Sequence, residues 1–137
     1  MELVLAHGHE NITSRHYNTL EVTKDPSITR RADCIVGVGA DKGLADLSEE
    51  FKAAAREKGV KIEVRLRVDG IEDRILGEGH PALAFANPRE MVIRRSSFLC
   101  PRTLMIKADK SSRELDRRLV ELLQDRQREL RVEIRTL

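Results

Sequence analysis

Histidine placement is the first chemical signal in this chain. Three of its four histidines, His7, His9 and His16, fall within the first sixteen residues, and the fourth is His80. Side chains alternate along a strand, so His-x-His at a strand end puts both imidazoles of His7 and His9 on one face. That spacing suits a divalent transition metal such as zinc, with His16 or His80 as a third nitrogen. The plainer alternative is a set of polar loop residues that hold backbone groups. Glu10, Glu21 and Asp33 could be further ligands or general bases, although their spacing in the sequence does not fix their distance from the histidines. The candidate catalytic set is therefore His9, His16, His80, Asp33 and Glu21, and the candidate metal set is His7, His9 and His16.

A second signal is Ala-Asp-Lys, which occurs at Ala40-Asp41-Lys42 and again at Ala108-Asp109-Lys110. Both copies lie where an apolar strand gives way to a helical pattern, with Asp41 or a neighbour as the N-cap. A helix start presents free N–H groups and a partial positive charge, so a Lys there favours a phosphate or carboxylate ligand. The alternative is a solvated Lys beside a capping Asp. The Gly-x-x-x-x-Gly-Lys-Ser/Thr frame is missing, so neither copy is a P-loop. Asn11, Asp41, Lys42, Asp109 and Lys110 form a candidate anion-binding set. Arg94 and Arg95, with Arg89 and Arg102 nearby, extend it toward an anionic small molecule or an RNA backbone. Cys100 is a candidate nucleophile if it lies near His80, and a Cys34–Cys100 disulfide is conceivable.

The elements that must position these residues come in two similar runs. Val4-Leu5-Ala6-His7-Gly8-His9 matches Ile75-Leu76-Gly77-Glu78-Gly79-His80 at an offset of 71, and Ala40-Asp41-Lys42 matches Ala108-Asp109-Lys110 at an offset of 68. The second offset then holds through Leu47/Leu115, Phe51/Leu119 and Ile62-x-Val64-x-Leu66/Leu130-x-Val132-x-Ile134. The expected fold is α+β, an internal duplication of a β-β-β-α-β unit (about 1–69 and 70–137) with pseudo-two-fold symmetry. Strands are expected near residues 2–7, 18–23, 34–38, 61–68, 71–78, 90–95, 103–107 and 131–135. A single helix in each half would carry Leu44, Leu47, Phe51, Ala54 and Ala55, or Leu115, Leu119, Leu122 and Leu123, with both helices on one side of the sheet or sheets. Gly59 fits a helix C-terminus, and Ser111 with Glu114 reads as a capping box. The third strand, helix and fourth strand of each unit could form a parallel crossover. Opposite charges at matched positions suggest that the alternating strands pair antiparallel, with Glu63 facing Arg131. Gly8-His9 and Gly79-His80 suit a turn in which Gly takes a positive φ.

Composition sets outer bounds. At 137 residues, the chain is expected to be one domain whose halves share a core. A net charge of +2 spread over 25 basic and 23 acidic residues argues against a dedicated nucleic-acid or membrane binder but allows a local patch. Only 3% of residues are aromatic, which gives base stacking little support. Abundant Arg and scarce Gln fit a thermophile. No apolar run approaches 18 residues, and the first residues lack a basic leader, so neither a transmembrane span nor a signal peptide is expected. Two cysteines without an export signal point to the cytoplasm.

Gly8-His9-Glu10-Asn11-Ile12, His16-Tyr17-Asn18-Thr19-Leu20-Glu21-Val22-Thr23-Lys24 and Ala32-Asp33-Cys34-Ile35-Val36-Gly37-Val38 resemble an archaeal family known as domain of unknown function 371. Gly77-Glu78-Gly79-His80 and the run Arg102 to Lys110 resemble its second half. The resemblance spans nearly the whole chain and implies an archaeal, cytosolic protein. It brings no established activity. From the residues, the leading expectation is a small-molecule or metal-dependent enzyme with a His/Asp/Lys cleft. The alternatives are a non-catalytic module that binds RNA or a protein partner through an Arg-rich strand edge, and a subunit of a homo-oligomer.

Overall fold

Alternating and β-branched runs become strands in the computed structural model, which describes residues 1–137. The first half contains β1 (Glu2–His7), β2 (Thr19–Thr23), β3 (Ile35–Gly37), α1 (Glu49–Ala55) and β4 (Lys61–Val68). The second half contains β5 (Ile71–Glu78), β6 (Glu90–Arg94), β7 (Thr103–Met105), α2 (Arg117–Leu122) and β8 (Glu129–Thr136). The fold class is α+β. Asp69 and Gly70 both have positive φ, 47° and 84°, and form the tight two-residue turn between β4 and β5. No helix is long and apolar enough to cross a membrane.

The strands form two four-stranded sheets. Sheet A has the order β1-β8-β4-β5 and is antiparallel throughout. Sheet B has the order β3-β2-β6-β7, antiparallel at β2–β6 and parallel at both outer pairs. The sheet edges are then joined. His7 and Val38 exchange two backbone hydrogen bonds of 2.9 Å, and Glu78 and Ile106 exchange bonds of 2.8 and 3.0 Å. Asp41 and Asp109 brace the same edges, each accepting a backbone N–H through Oδ1, from Leu5 at 2.9 Å and from Leu76 at 3.0 Å. The eight strands thus run round a closed, flattened ring with little free edge to recruit another chain's strand. A cluster of 30 buried apolar residues fills the interior.

Several expectations change here. β3 and β4 lie in different sheets, so they do not form a same-sheet crossover. Each expected helix splits in two: a 3-10 turn at Leu44–Asp46 or Ser112–Glu114, an extended residue (Leu47 or Leu115), then a short α-helix capped by Ser48 or Asp116. The apolar stripe cannot distinguish these arrangements, because Leu44, Leu47 and Phe51 stay buried in both. The Ser111–Glu114 box forms, but it caps the 3-10 turn. Gly59 sits in the loop after α1, beyond the C-cap Arg56.

β4 and β8 do pair antiparallel, but Glu63 faces Arg135, not Arg131, and Arg65 faces Glu133. Both registers put Val64 and Leu66 inward. The observed one overlaps almost the full length of both strands, and the ladder bonds and buried pairs gained outweigh the tenths of a kcal/mol offered by surface charge pairs. Glu63 is only 1% exposed on the outer face of sheet A, where it meets Arg65 at 3.1 Å, Arg135 at 2.8 Å and Arg74. Burial alone would raise its pKa, but the hydrogen bonds from Arg135 and Arg74 outweigh that and hold it at about 2.

Candidate functional site

The two Gly-His pairs serve the architecture first. The backbone N–H of His9 donates to Leu123 O at 2.8 Å at the end of α2, and that of His80 donates to Ala55 O at 3.1 Å at the end of α1. Each pair thereby satisfies a carbonyl at the C-terminus of the other half's helix. A Cβ at Gly8 would lie 2.4 Å from Leu123 O, and one at Gly79 would lie 2.0 Å from Ala55 O. Neither glycine has a positive φ, so the need is for space, not for the left-handed region expected from the sequence.

The imidazoles also hold turns. Nδ1 of His9, His16 and His80 accepts the backbone N–H two residues on, from Asn11 (3.0 Å), Asn18 (3.1 Å) and Ala82 (2.9 Å). His9 is 1% exposed, and its Nε2 lies 3.3 Å from Ser27 Oγ and 3.0 Å from Arg126 Nη2. The ring of His7 covers Gly39, and its Nδ1 lies 2.9 Å from Gly8 O. Asn11 ties the same loop to Ile28 O through Nδ2 at 2.9 Å. No three His, Cys, Asp or Glu side chains gather into a group that could hold a metal, so His7, His9 and His16 do not form the expected set.

The expected shared cleft is also absent. β1 and β5 are the opposite edges of sheet A and run antiparallel, so their C-terminal ends sit at diagonal corners. Three strand spacings alone separate His9 from His80 by about 14 Å. His16 belongs to the loop that enters sheet B. Asp41 and Asp109 brace strands and cap no helix. Lys110 is paired with Asp73, and Lys42 makes no ion pair. The helices start at Glu49 and Arg117, so neither Lys stands at a helix N-terminus.

One cluster of reactive groups does assemble, on the outer face of sheet B. Alternation turns Leu20 and Val22 inward and Glu21 outward, and the loops before β3 and β7 then cover it. Glu21 is 6% exposed, opposite Val92 and beside Ile35. Burial first, then the nearby Glu90 carboxylate, push its pKa up to about 7 against the pull of Arg102. Arg102 Nη1 stands 3.5 Å from Glu21 and 2.9 Å from Glu90. Arg94, almost fully buried, donates to Thr103 Oγ1 at 2.9 Å and to Cys100 Sγ at 3.2 Å. Burial works to raise the Cys100 pKa, but donors from the Arg102 N–H, Thr103 and Arg94 overcome it and bring the thiol down to about 7. The other thiol, Cys34, is pushed up to about 11 by burial and by Glu21. Both thiols are free, so the conceivable Cys34–Cys100 disulfide is not formed.

A second cluster went unseen in the sequence. Loop 13–18 is the meeting point of four segments. Arg15 N–H donates to Asp33 O at 2.9 Å, Arg113 N–H to His16 O at 3.0 Å, and Arg95 N–H to Asn18 O at 3.0 Å. Asp33 therefore contributes its backbone carbonyl here. Arg117 reaches Ser14 O at 3.0 Å and Ser112 O at 2.8 Å. Arg15, Arg30, Arg31, Arg113 and Arg117 all lack an acidic partner in a chain with many ion pairs, whereas Arg95 pairs with Glu114. Burial and then the Arg15 charge draw the pKa of Arg117 below its usual value. Segments 13–19, 27–34, 94–99 and 111–118 hold eight Arg against three acidic residues, so the rest of this +2 chain is net negative. The arginines are scattered through the sequence, and only the fold brings them to one corner.

The family model described as a domain of unknown function (DUF371) matches residues 4–137. An uncharacterized protein of Methanocaldococcus jannaschii, MJ0206, is 46% identical over 126 residues, which cover 91% of this chain and 93% of that protein.

Proposed function

The chain belongs to the DUF371 family, and from that premise we propose that it is a binding module for a polyanion, with RNA as the ligand. The observation that carries this reading is the corner where Arg15, Arg113 and Arg117, flanked by Arg30 and Arg31, stand without carboxylate partners. Arg117 holds Ser14 O and Ser112 O through its guanidinium, but no carboxylate offsets the positive charge gathered here, and a phosphate backbone would neutralise it.

We also read the chain as one β-β-β-α-β unit written twice, residues 1–69 and 70–137, about a pseudo-two-fold axis, with both helices on the side of sheet A. The strand registers support this. Arg65 faces Glu133, 68 positions on, and Glu21 faces Val92, 71 positions on, and these are the two offsets of the sequence repeat. On this reading the corner has a counterpart in the other half, where Ala45 N–H donates to Asn87 O as Arg113 does to His16 O. At that counterpart Arg15, Arg113 and Arg117 become Ala86, Ala45 and Glu49. The fold is built there without the charges, which supports a role for the arginines in binding. Two unpaired thiols fit a reducing compartment such as the cytosol.

The test is fluorescence anisotropy with labelled RNA at 50 to 200 mM salt. Three or four phosphate contacts give a log–log slope of about −2 to −3. Arg15→Glu and Arg113→Glu should each flatten that slope and weaken binding at least about tenfold. Absence of binding at the lowest salt would refute the module.

An enzymatic role is the second reading, and it rests on Glu21 and Cys100. A buried carboxyl and a thiol, both poised near neutrality, suit proton transfer and nucleophilic attack on a small molecule. It places chemistry on sheet B and not in a histidine cleft.

A further inference from the structure

We infer that the ligand of the arginine corner is single-stranded RNA, with bases stacked on Tyr17 and Phe98 and phosphates held by Arg15, Arg113 and Arg117. This rests on the polyanion reading above and adds the form that the ligand takes.

The chain has three Phe and one Tyr. Phe51 and Phe85 are buried in the core, edge to face at 5.9 Å. The other two are left outside: Tyr17 is 66% exposed and Phe98 is 59% exposed. Both belong to the same corner. Tyr17 lies two residues before β2 and Phe98 four residues after β6. Those strand ends are joined by the Thr19–Arg94 pair and by the Arg95 N–H bond to Asn18 O.

Each ring is backed on one face. Tyr17 stacks on His16 with ring centres 5.1 Å apart and planes 11° from parallel, and the Arg94 guanidinium lies 4.9 Å from the centre of Phe98. His16 is itself fixed by three donors to Nδ1, from Asn18 N, Thr19 N and Thr19 Oγ1, each at 3.1 Å. The Phe98 backbone is held by its N–H, which donates to Ser96 Oγ, and by its carbonyl, which accepts from Thr103 Oγ1, both at 3.3 Å. The rings are therefore oriented before any ligand arrives, which lowers the entropy lost on stacking.

Exposed aromatic rings beside unpaired arginines match the requirements of an unpaired strand, whose bases offer π-faces while its phosphates follow the positive surface. A duplex hides its base faces and would use only the arginines. An acidic polypeptide would likewise leave both rings unused. Ser96, Ser97 and Asn18 at the rim supply the hydroxyl and amide groups that a 2′-hydroxyl can meet.

The experiment uses the full chain with a fluorescein-labelled oligouridylate, a hairpin duplex RNA of equal length, heparin and polyglutamate. Tyr17 is the sole tyrosine and there is no tryptophan, so intrinsic emission reports directly on its stacking. We expect the single strand to bind at least tenfold more tightly than the duplex and to quench tyrosine emission. Tyr17→Ala and Phe98→Ala should each weaken single-strand binding roughly tenfold, with heparin affinity and thermal midpoint unchanged. Equal affinity for duplex and single strand, or a double variant that binds oligouridylate like the parent, overturns the stacking inference and leaves the polyanion reading standing. Polyglutamate binding without RNA binding overturns both in favour of an acidic protein partner. Heparin and RNA both failing to bind overturns the polyanion reading itself.

Discussion

Replacing Glu21 with Gln should remove most of the fall in stability between pH 5 and pH 7. The carboxyl titrates near 7 in the folded chain because it is buried beside Glu90, against 4.5 for the free group. Between those values the folded state holds a proton that the unfolded state has released. The unfolded state therefore binds fewer protons, and stability falls as pH rises through this window. At about 1.4 kcal/mol per pH decade the full loss is about 3.5 kcal/mol, of which about 2 kcal/mol falls between pH 5 and 7. Gln mimics the protonated carboxyl, so parent and Glu21→Gln should be nearly equal in stability at pH 5 and diverge by about 2 kcal/mol at pH 7, the variant being the more stable. Urea unfolding at half-unit pH steps measures this directly. Other shifted groups act elsewhere. Glu10, Glu63, Glu114 and Asp116, held near 2, withdraw stability only as pH falls below their ordinary range. Cys100, lowered from 9 to about 7, adds stability as pH rises from 7 to 9. A pH-independent gap between the two proteins would refute the claim that Glu21 is buried against its ionisation.

Cys100 should react with iodoacetamide at pH 7.5 far faster than Cys34, since about half or more of the first thiol and almost none of the second is thiolate there; equal labelling by mass spectrometry would contradict the donor arrangement around Cys100. Gly79→Ala forces a Cβ to within 2.0 Å of Ala55 O and should destabilise by about 2 kcal/mol or more, seen as a lower thermal midpoint. Glu63→Gln leaves Arg65, Arg74 and Arg135 without their shared counter-charge and should lose about 2 kcal/mol at pH 7, a loss that urea titration would register; an unchanged midpoint would show those ion pairs to be ornamental.

The strands were largely legible in the sequence, because the period-two alternation of Lys61 to Val68 or Glu129 to Thr136 is a local consequence of a sheet with one dry face. Family membership was legible for the same reason: it is written in contiguous motifs. The helices were legible only as a buried stripe, since Leu44, Leu47 and Phe51 satisfy one helix or two broken turns equally well. Register was not legible, because two alignments of β4 and β8 both put Val64 and Leu66 inward. The histidines misled for a related reason. Gly-His marks a chain passing close beneath a helix end on the other half, and sequence carries no record of which backbone carbonyl fills the space a Cβ would need. The Arg15–Arg113–Arg117 corner with Tyr17 and Phe98 is likewise wholly tertiary, assembled from four segments that share no local pattern. What the amino-acid order determined by itself was the set of local periods and turns, which depend on near neighbours. What only the folded chain decided was which distant side chains share an environment, because proximity, desolvation and unpaired charge arise from strand order and ring closure.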